Sequence, residues 1–219
     1  MLILAMDAAL ARCSAAVVSD NRLVAVRQED AARGHAALLP VMVNAVLDAA
    51  RSRPTKFDLV AVTVGPGSFT GIRAGLALAH GISRAASIPV VGVTVGEVLA
   101  DSLPRLGARE LWSAIDNRRG RVFLERDGSV VAVELGALPL PQGGVAVAGD
   151  AAPKVAAWLA ARGVDVMLTD ARLPLPRHIA VVAARRWRGE LPPREAQPLY
   201  VDPPEAKLPA GGLRPLPMG

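Results

Sequence analysis

A glycine-rich segment at residues 65–73 is the part of the sequence best suited to bind a ligand. It follows an apolar run, precedes an alanine-rich run and has the sequence Gly65-Pro66-Gly67-Ser68-Phe69-Thr70-Gly71-Ile72-Arg73. Three glycines and a proline favour a tight turn, and Ser68 or Thr70 can cap a following helix. A helix N-terminus preceded by glycines suits phosphate or another anion. Two interpretations therefore stand: an anion-binding loop, and a structural strand-to-helix turn with a capping hydroxyl, which we favour.

The segment departs from the known phosphate-binding and nucleophile motifs. It has no lysine for a P-loop, and Thr70 occupies the third glycine position of a dinucleotide-binding fingerprint. Pro66 and Thr70 flank Ser68 where a nucleophile elbow requires glycines. The sequence predicts no catalytic residue here.

The other reactive side chains form no recognisable constellation. His35, His80 and His178 lack metal-ligand spacing, and the single Cys13 excludes both a disulfide within the chain and a thiolate zinc site. We therefore predict no metal site. Asp7 is expected to be a turn or capping residue rather than a cation ligand. Arg73, whose charge opposes the helix dipole, is expected to pair with an acid of this chain or of a partner.

Composition limits the class of protein. The 219 residues are 52% hydrophobic, which excludes disorder along the whole chain. No apolar run approaches the roughly 18 residues of a membrane span, and the apolar start ends at Asp7, so we expect a cytoplasmic protein without membrane contact. The net charge of +5 hints at an anionic partner. Residues 171–199 carry six arginines against two glutamates, which we interpret as a solvated helix end in preference to an RNA phosphate footprint.

Hydrophobic periodicity predicts an α/β protein with two similar halves. Predicted strands cover 2–5, 14–19, 22–27, 59–64, 88–93, 111–115, 121–124, 130–134, 145–148 and 164–168. Predicted helices cover 36–50, 70–86, 97–101, 151–161 and 179–188. The second half is interpreted as a variant of the first with an extra strand. We expect lobes at 1–104 and 105–204, followed by a proline-rich tail at 205–219.

The predicted helix 70–86 is rich in small residues. Glycine inside a helix costs about 1 kcal/mol relative to alanine, so Gly75 and Gly81 suggest a close approach of another backbone. The partner surface is either the chain's own sheet or a helix of another subunit, and both remain open.

Several segments together resemble the TsaB (YeaZ) family. The strand 59–64 followed by the nonamer 65–73 resembles the family signature. Four further segments resemble motifs of the family and occur in the family's order along the chain: 3–7, 33–40, 116–123 and 198–203. The resemblance thus spans about residues 2–204.

The resemblance implies an actin-like (ASKHA, ribonuclease H-like) fold of two lobes, with mixed sheets flanked by helices. It implies a non-catalytic scaffold of the complex that forms N6-threonylcarbamoyladenosine at position 37 of ANN-decoding tRNAs. In this family the partner TsaD holds the metal and transfers the group, while the ATPase TsaE acts through the complex. The family also forms homodimers. The tRNA would be contacted indirectly, and no cofactor is expected except ATP or ADP at the complex interface.

Family pairing uses the first two long helices, here 36–50 and 70–86. The resemblance therefore implies partner contacts at His35, Leu38, Leu39, Met42, Ala74, Gly75, Leu78 and Ile82. Asp7-Ala8-Ala9 stands where the family usually has Asp-Thr-Ser. Because both hydroxyl groups are lost, the sequence argues against phosphate binding by this lobe. Ala36, Asn117 and Arg121 also depart from the family pattern. The alternative function is an actin-like nucleotide-hydrolysing small-molecule kinase or peptidase, for which the sequence offers little support.

Overall fold

The first half of the chain forms a five-stranded mixed sheet and three helices. In the computed structural model, residues 1–31 and 34–201 are described. The strands are β1 (Leu2–Asp7), β2 (Arg12–Ser19), β3 (Arg22–Asp30), β4 (Leu59–Gly65) and β5 (Val90–Thr94). The helices are α1 (His35–Ala49), α2 (Phe69–Ala86) and α3 (Val95–Asp101).

The second half repeats this arrangement. Its strands are β6 (Glu110–Asp116), β7 (Arg121–Arg126), β8 (Ser129–Glu134), β9 (Val145–Ala148) and β10 (Val166–Leu168), and its helices are α4 (Ala152–Ala160) and α5 (Pro176–Trp187). The sheet orders are β3-β2-β1-β4-β5 and β10-β9-β6-β7-β8, which are the same order when each lobe is counted from its own first strand. The predicted duplicated α/β fold is confirmed.

The two halves differ by a helix and not by a strand, so the predicted extra strand in the second half is wrong. Each sheet contains five strands. Where the first lobe has α1, the second has only a short 3-10 turn at Leu135–Ala137 between β8 and β9.

Strand β1 lies at the centre of the first sheet and packs on both faces. It pairs antiparallel with β2 and parallel with β4. Because successive side chains of a strand alternate between faces, Leu4 and Met6 pack in the cluster that includes α1 and α2. Ile3 and Ala5 pack in a second cluster, which includes Ile179 of α5.

Helix α5 therefore belongs to the core of the first lobe although it follows the second sheet in sequence. We propose that the chain divides into its two lobes at residue 104, because this boundary separates the two sheets. Helix α5 lies beyond the boundary in sequence but covers the first sheet. The predicted tail at 205–219 lies outside the described residues.

The second lobe has its own core. Trp112, Leu124 and Leu159 are fully buried between the second sheet and α4. In the part of the chain that the structure describes, no helix is both long enough and apolar enough to cross a bilayer.

Candidate functional site: the interlobe cleft and the α1–α2 face

A cavity of about 860 Å³ lies between the lobes at the carboxyl ends of their central strands. Ligands of open α/β sheets bind at this edge of the strands. The lining comes from the turns after β1, β4, β6 and β9, from β7, from the first residues of α1 and α2, and from the segment that follows α5. It consists of Ala9, Leu10, His35, Pro66–Thr70, Ile72, Arg73, Asp116–Arg119, Phe123, Asp150 and Pro198–Val201.

The glycine-rich segment forms a crowded turn between β4 and α2. The peptide bond between Gly65 and Pro66 is cis, and Gly67 has a φ of +155°. A Cβ atom on Gly67 would collide with the carbonyl of Ala9, and one on Gly71 would collide with the carbonyl of Ala8. The glycines are needed because the turn after β1 packs directly against the start of α2.

Two N–H groups of this turn are already used inside the chain. The Ser68 amide donates to the Ala9 carbonyl at 2.7 Å, and the Gly71 amide donates to Ser68 Oγ at 3.2 Å. Ser68, rather than Thr70, caps α2. These contacts support the structural interpretation of the turn over the anion-binding one.

Asp7 closes the turn after β1. Its buried carboxylate accepts hydrogen bonds from the Ala9 amide at 2.9 Å and from the Thr63 hydroxyl at 2.5 Å, through Oδ1. Oδ2 is buried and has no hydrogen-bond partner within the described residues. Burial raises the pKa of Asp7 to about 6 against the opposing effect of these hydrogen bonds and of His35. The turn role predicted for Asp7 is confirmed.

Arg73 stacks on aromatic rings at the mouth of the cleft. Its guanidinium lies 3.3 Å from the centre of the Phe69 ring and 5.5 Å from that of Tyr200. Its Nη2 donates to the Tyr200 hydroxyl at 2.7 Å. The prediction that an acid of this chain pairs with Arg73 is therefore wrong for the residues that the structure describes. The side chains of Phe69 and Tyr200 contact the guanidinium instead.

The second lobe contributes a tight loop after β6. Asn117 Oδ1 accepts the amides of Arg119 and Arg121 at 2.8 and 2.9 Å, which explains the departure at Asn117 as a loop-closing residue. Asp116 accepts the Arg118 amide at 2.8 Å. This loop presents the exposed side chains of Arg118 and Arg119 at the cleft.

The carboxylates beside this loop have partners within the lobe. Asp116 lies 3.1 Å from Lys154 Nζ. Burial raises its pKa, but the Arg118 amide and Lys154 outweigh that effect and hold the pKa below its usual value. Asp150 accepts the Asp116 amide at 2.8 Å, and burial raises its pKa. Beside these paired carboxylates, the loop presents the exposed Arg118 side chain to the cleft.

Half of the residues predicted to contact a partner are buried within the lobe. His35 is 6% exposed and donates from Nε2 to the Ala31 carbonyl at 2.7 Å. Leu39 and Met42 belong to the core. A Cβ on Gly75 would meet side chains of the same lobe at 3.6 and 3.8 Å. These four residues lie on the buried side of α1 and α2. The proposed contact surface is therefore restricted to the other four predicted residues.

The remaining four residues lie on a partly exposed apolar surface. Leu38, Ala74, Leu78 and Ile82 are half-buried. Val41, which was not among the predicted contacts, is 67% exposed. Ala77 and Gly81 are exposed, and Gly81 has open space around it. We call this surface the α1–α2 face; its residues are Leu38, Val41, Ala74, Ala77, Leu78, Gly81 and Ile82.

Two lobes with the same strand order, facing each other across a cleft, define the duplicated fold of the actin-like (ASKHA) class. Residues 24–180 match the family model described as "TsaD: tRNA N6-adenosine threonylcarbamoyltransferase". The tRNA threonylcarbamoyladenosine biosynthesis protein TsaB of Escherichia coli is 36% identical over 124 residues, which is 56% of this chain and 53% of that protein. That match thus spans about half the length of the relative.

Longer matches cover nearly the whole chain. An uncharacterized protein of Mycobacterium tuberculosis strain H37Rv is 34% identical over 215 residues, covering 94% of this chain and 93% of that protein. The structure of YeaZ from Pseudomonas aeruginosa superposes with a TM-score of 0.72 at 26% identity, covering 91% of this chain and 99% of that one. The chain belongs to the TsaB (YeaZ) family, within the group of sequences that the TsaD family model describes.

Proposed function

We propose that this chain is a non-catalytic scaffold in the formation of N6-threonylcarbamoyladenosine at position 37 of ANN-decoding tRNAs, and that it binds a TsaD-type partner through the α1–α2 face. The pathway is supported by the names of the TsaB relatives. The observation that carries the docking proposal is the row of exposed and half-buried apolar residues along both helices. The complex is expected to act in the cytoplasm.

The α1–α2 face has the shape that helix docking requires. Ala74, Ala77, Leu78, Gly81 and Ile82 occupy positions i, i+3, i+4, i+7 and i+8 of α2, so they form one stripe along the helix. Small side chains allow a second helix to approach closely, and Leu38 and Val41 of α1 add apolar area beside them. Contiguous exposed apolar surface marks interaction sites. The same face also serves the proposed homodimer.

The buried side of the two helices makes this face rigid. Leu39 and Met42 of α1, and Leu76 and Ala79 of α2, are at most 6% exposed in one core cluster. Because both helices are anchored on β1, β2 and β4, the exposed side chains need little ordering when a partner binds.

A scaffold role is supported by the use of candidate reactive groups inside the chain. Ser68 caps α2, and Asp7 is enclosed by its own turn. An actin-like kinase or peptidase, the alternative function, would need such groups free to act on a substrate. TsaE would then be engaged through the complex.

The docking proposal is tested with Ala77→Glu, which places a charge at an exposed position of α2. Ala157→Glu is the matched control, because Ala157 is an exposed alanine of α4. Light scattering of the chain mixed with a TsaD-type partner is expected to show at least about tenfold weaker association for Ala77→Glu, since a charge would be buried against an apolar surface. The control is expected to associate like the wild type.

Equal association of wild type, Ala77→Glu and a second variant, Val41→Glu, would reject the α1–α2 face as the docking surface. Circular dichroism of each variant verifies that the fold is retained.

A further inference from the structure

Aromatic side chains are concentrated at the interlobe cleft. The sequence has one tyrosine and three phenylalanines, and the tyrosine and two of the phenylalanines line this cavity: Phe69, Phe123 and Tyr200. Phe69 is 63% exposed and Tyr200 is 60% exposed. Arg73 covers part of the Phe69 ring, and the remaining exposed ring surface is available for stacking with a flat partner.

Positive charge surrounds these rings from both lobes. Arg73 lies against Phe69 and donates to the Tyr200 hydroxyl. Arg118 and Arg119 line the same cavity from the loop after β6. Asp116, the nearest acid in sequence, has Lys154 as its partner. The cleft mouth therefore presents ring faces together with guanidinium groups.

The same geometry disfavours a polyphosphate. An anion at the start of α2 would use free backbone N–H groups, and two of these are already used, because the Ser68 amide is bonded to the Ala9 carbonyl and the Gly71 amide to Ser68 Oγ. Asp7 lies buried below the turn and does not line the cavity. The exposed rings beside Arg118 fit a base and a single phosphate.

We propose that the mouth of this cleft binds an unpaired nucleotide of single-stranded RNA, with its base stacked on Phe69 and Tyr200 and its phosphate against Arg118. Unpaired RNA bases are commonly held by aromatic rings and arginine planes. The choice of RNA as the source of the nucleotide rests on the proposed function in tRNA modification, whereas the base-and-phosphate chemistry rests on the cleft.

The test measures binding of fluorescently labelled oligo(A) RNA to the full chain alone, by anisotropy over a range of salt concentrations. Phe69→Leu and Tyr200→Leu keep apolar volume but remove the rings, and each is expected to weaken binding by about tenfold. Tyr200→Phe retains the ring and is expected to restore most of the affinity. Arg118→Gln is expected to reduce the slope of log affinity against log salt by about 0.7.

Two residues of α5 provide matched controls. Trp187 is an exposed aromatic residue, 54% exposed, and Arg177 is an exposed arginine; neither lines the cleft. Trp187→Leu and Arg177→Gln are expected to bind oligo(A) like the wild type. Thermal unfolding of all variants verifies the fold.

Three results would overturn the proposal. Equal binding of oligo(A) and of the same strand annealed to its complement would show general attraction to phosphate. Unchanged binding by both ring variants would remove the stacking surface. Binding of AMP or ATP without binding of oligo(A) would reject RNA as the source. Because no partner is present in this assay, unchanged TsaD-type association of Ala77→Glu and Val41→Glu together with intact RNA binding would reject only the docking proposal.

Discussion

The Glu125 carboxylate of β7 accepts the Gly96 amide of α3 at 3.0 Å, so a buried acid of the second lobe caps a helix of the first. The other oxygen of Glu125 accepts the Thr94 hydroxyl at 2.5 Å. A Cβ atom on Gly96 would collide with the carboxylate. The absence of a side chain at this position thus allows the two lobes to meet through a hydrogen-bonded acid.

We predict that Glu125 makes the protein less stable as pH rises toward neutrality. Burial raises the pKa of Glu125 from 4.5 to about 7, and nearby Glu97 adds to this effect, against the opposing hydrogen bonds from Thr94 and Gly96. A raised carboxyl pKa means that the folded state binds more protons than the unfolded state between these two pH values. The free energy of unfolding therefore falls as pH rises through this window, by about 3 kcal/mol for Glu125.

Urea unfolding of the wild type and of Glu125→Gln at about pH 5 and pH 8 measures this contribution. The glutamine keeps the shape and can bond both Thr94 and Gly96 without titrating, so its loss of stability with pH is expected to be smaller. Asp7, whose pKa burial raises to about 6, contributes a decrease of the same sign in both proteins. Equal pH dependence in the two proteins would contradict the prediction.

Two glycines of α2, Gly71 and Gly81, are expected to tolerate a methyl group differently. Gly71→Ala is expected to destabilise the protein by at least about 3 kcal/mol, because its Cβ would collide with the backbone carbonyl of Ala8. Gly81→Ala is the control: it has open space and lies inside the helix, so it is expected to be neutral or to stabilise by up to about 1 kcal/mol. Chemical denaturation of both variants measures the difference, and similar effects at the two sites would refute the close contact at Gly71.

Adjacent arginines of α5 are expected to differ in their contribution to stability. Arg186 is 7% exposed and donates to the Gly92 carbonyl at 2.7 Å, to the Pro192 carbonyl at 2.8 Å and to Glu97 at 2.5 Å. Arg186→Leu would leave buried acceptors unpaired and is expected to cost about 3–5 kcal/mol.

Arg185→Leu is the matched control for this substitution. Its side chain is 43% exposed and lies 3.8 Å from Asp101 and 3.6 Å from Glu190, so we expect a loss of at most about 1 kcal/mol. Thermal unfolding compares the two variants, and equal losses would show that the buried contacts of Arg186 add nothing. Arg188 and Arg194 also lie near carboxylates, at 3.8 and 3.9 Å. The interpretation of the basic segment 171–199 as a solvated helix end fits the exposed Arg188, but it is wrong for Arg186, which is buried.

Local patterns in the sequence determined the elements and the family. The predicted helix 70–86 differs from α2 by one residue at its start, and the predicted strand 59–64 differs from β4 by one at its end. Strand β3 extends three residues past its predicted end, to Asp30, because Arg12 of β2 pairs with Asp30 in the sheet register. Hydrophobic periodicity acts over neighbouring residues, so it predicts helices and strands but not their full extent.

Only the tertiary structure decided which side of each helix is covered and which distant groups meet. It placed His35 and Gly75 inside the lobe, packed α5 against the first sheet, and joined Glu125 to Gly96 across the lobes. It also brought Tyr200 to Arg73. These contacts join residues far apart in the chain, and they form because burying apolar faces fixes the positions of the elements, which a one-dimensional pattern does not contain.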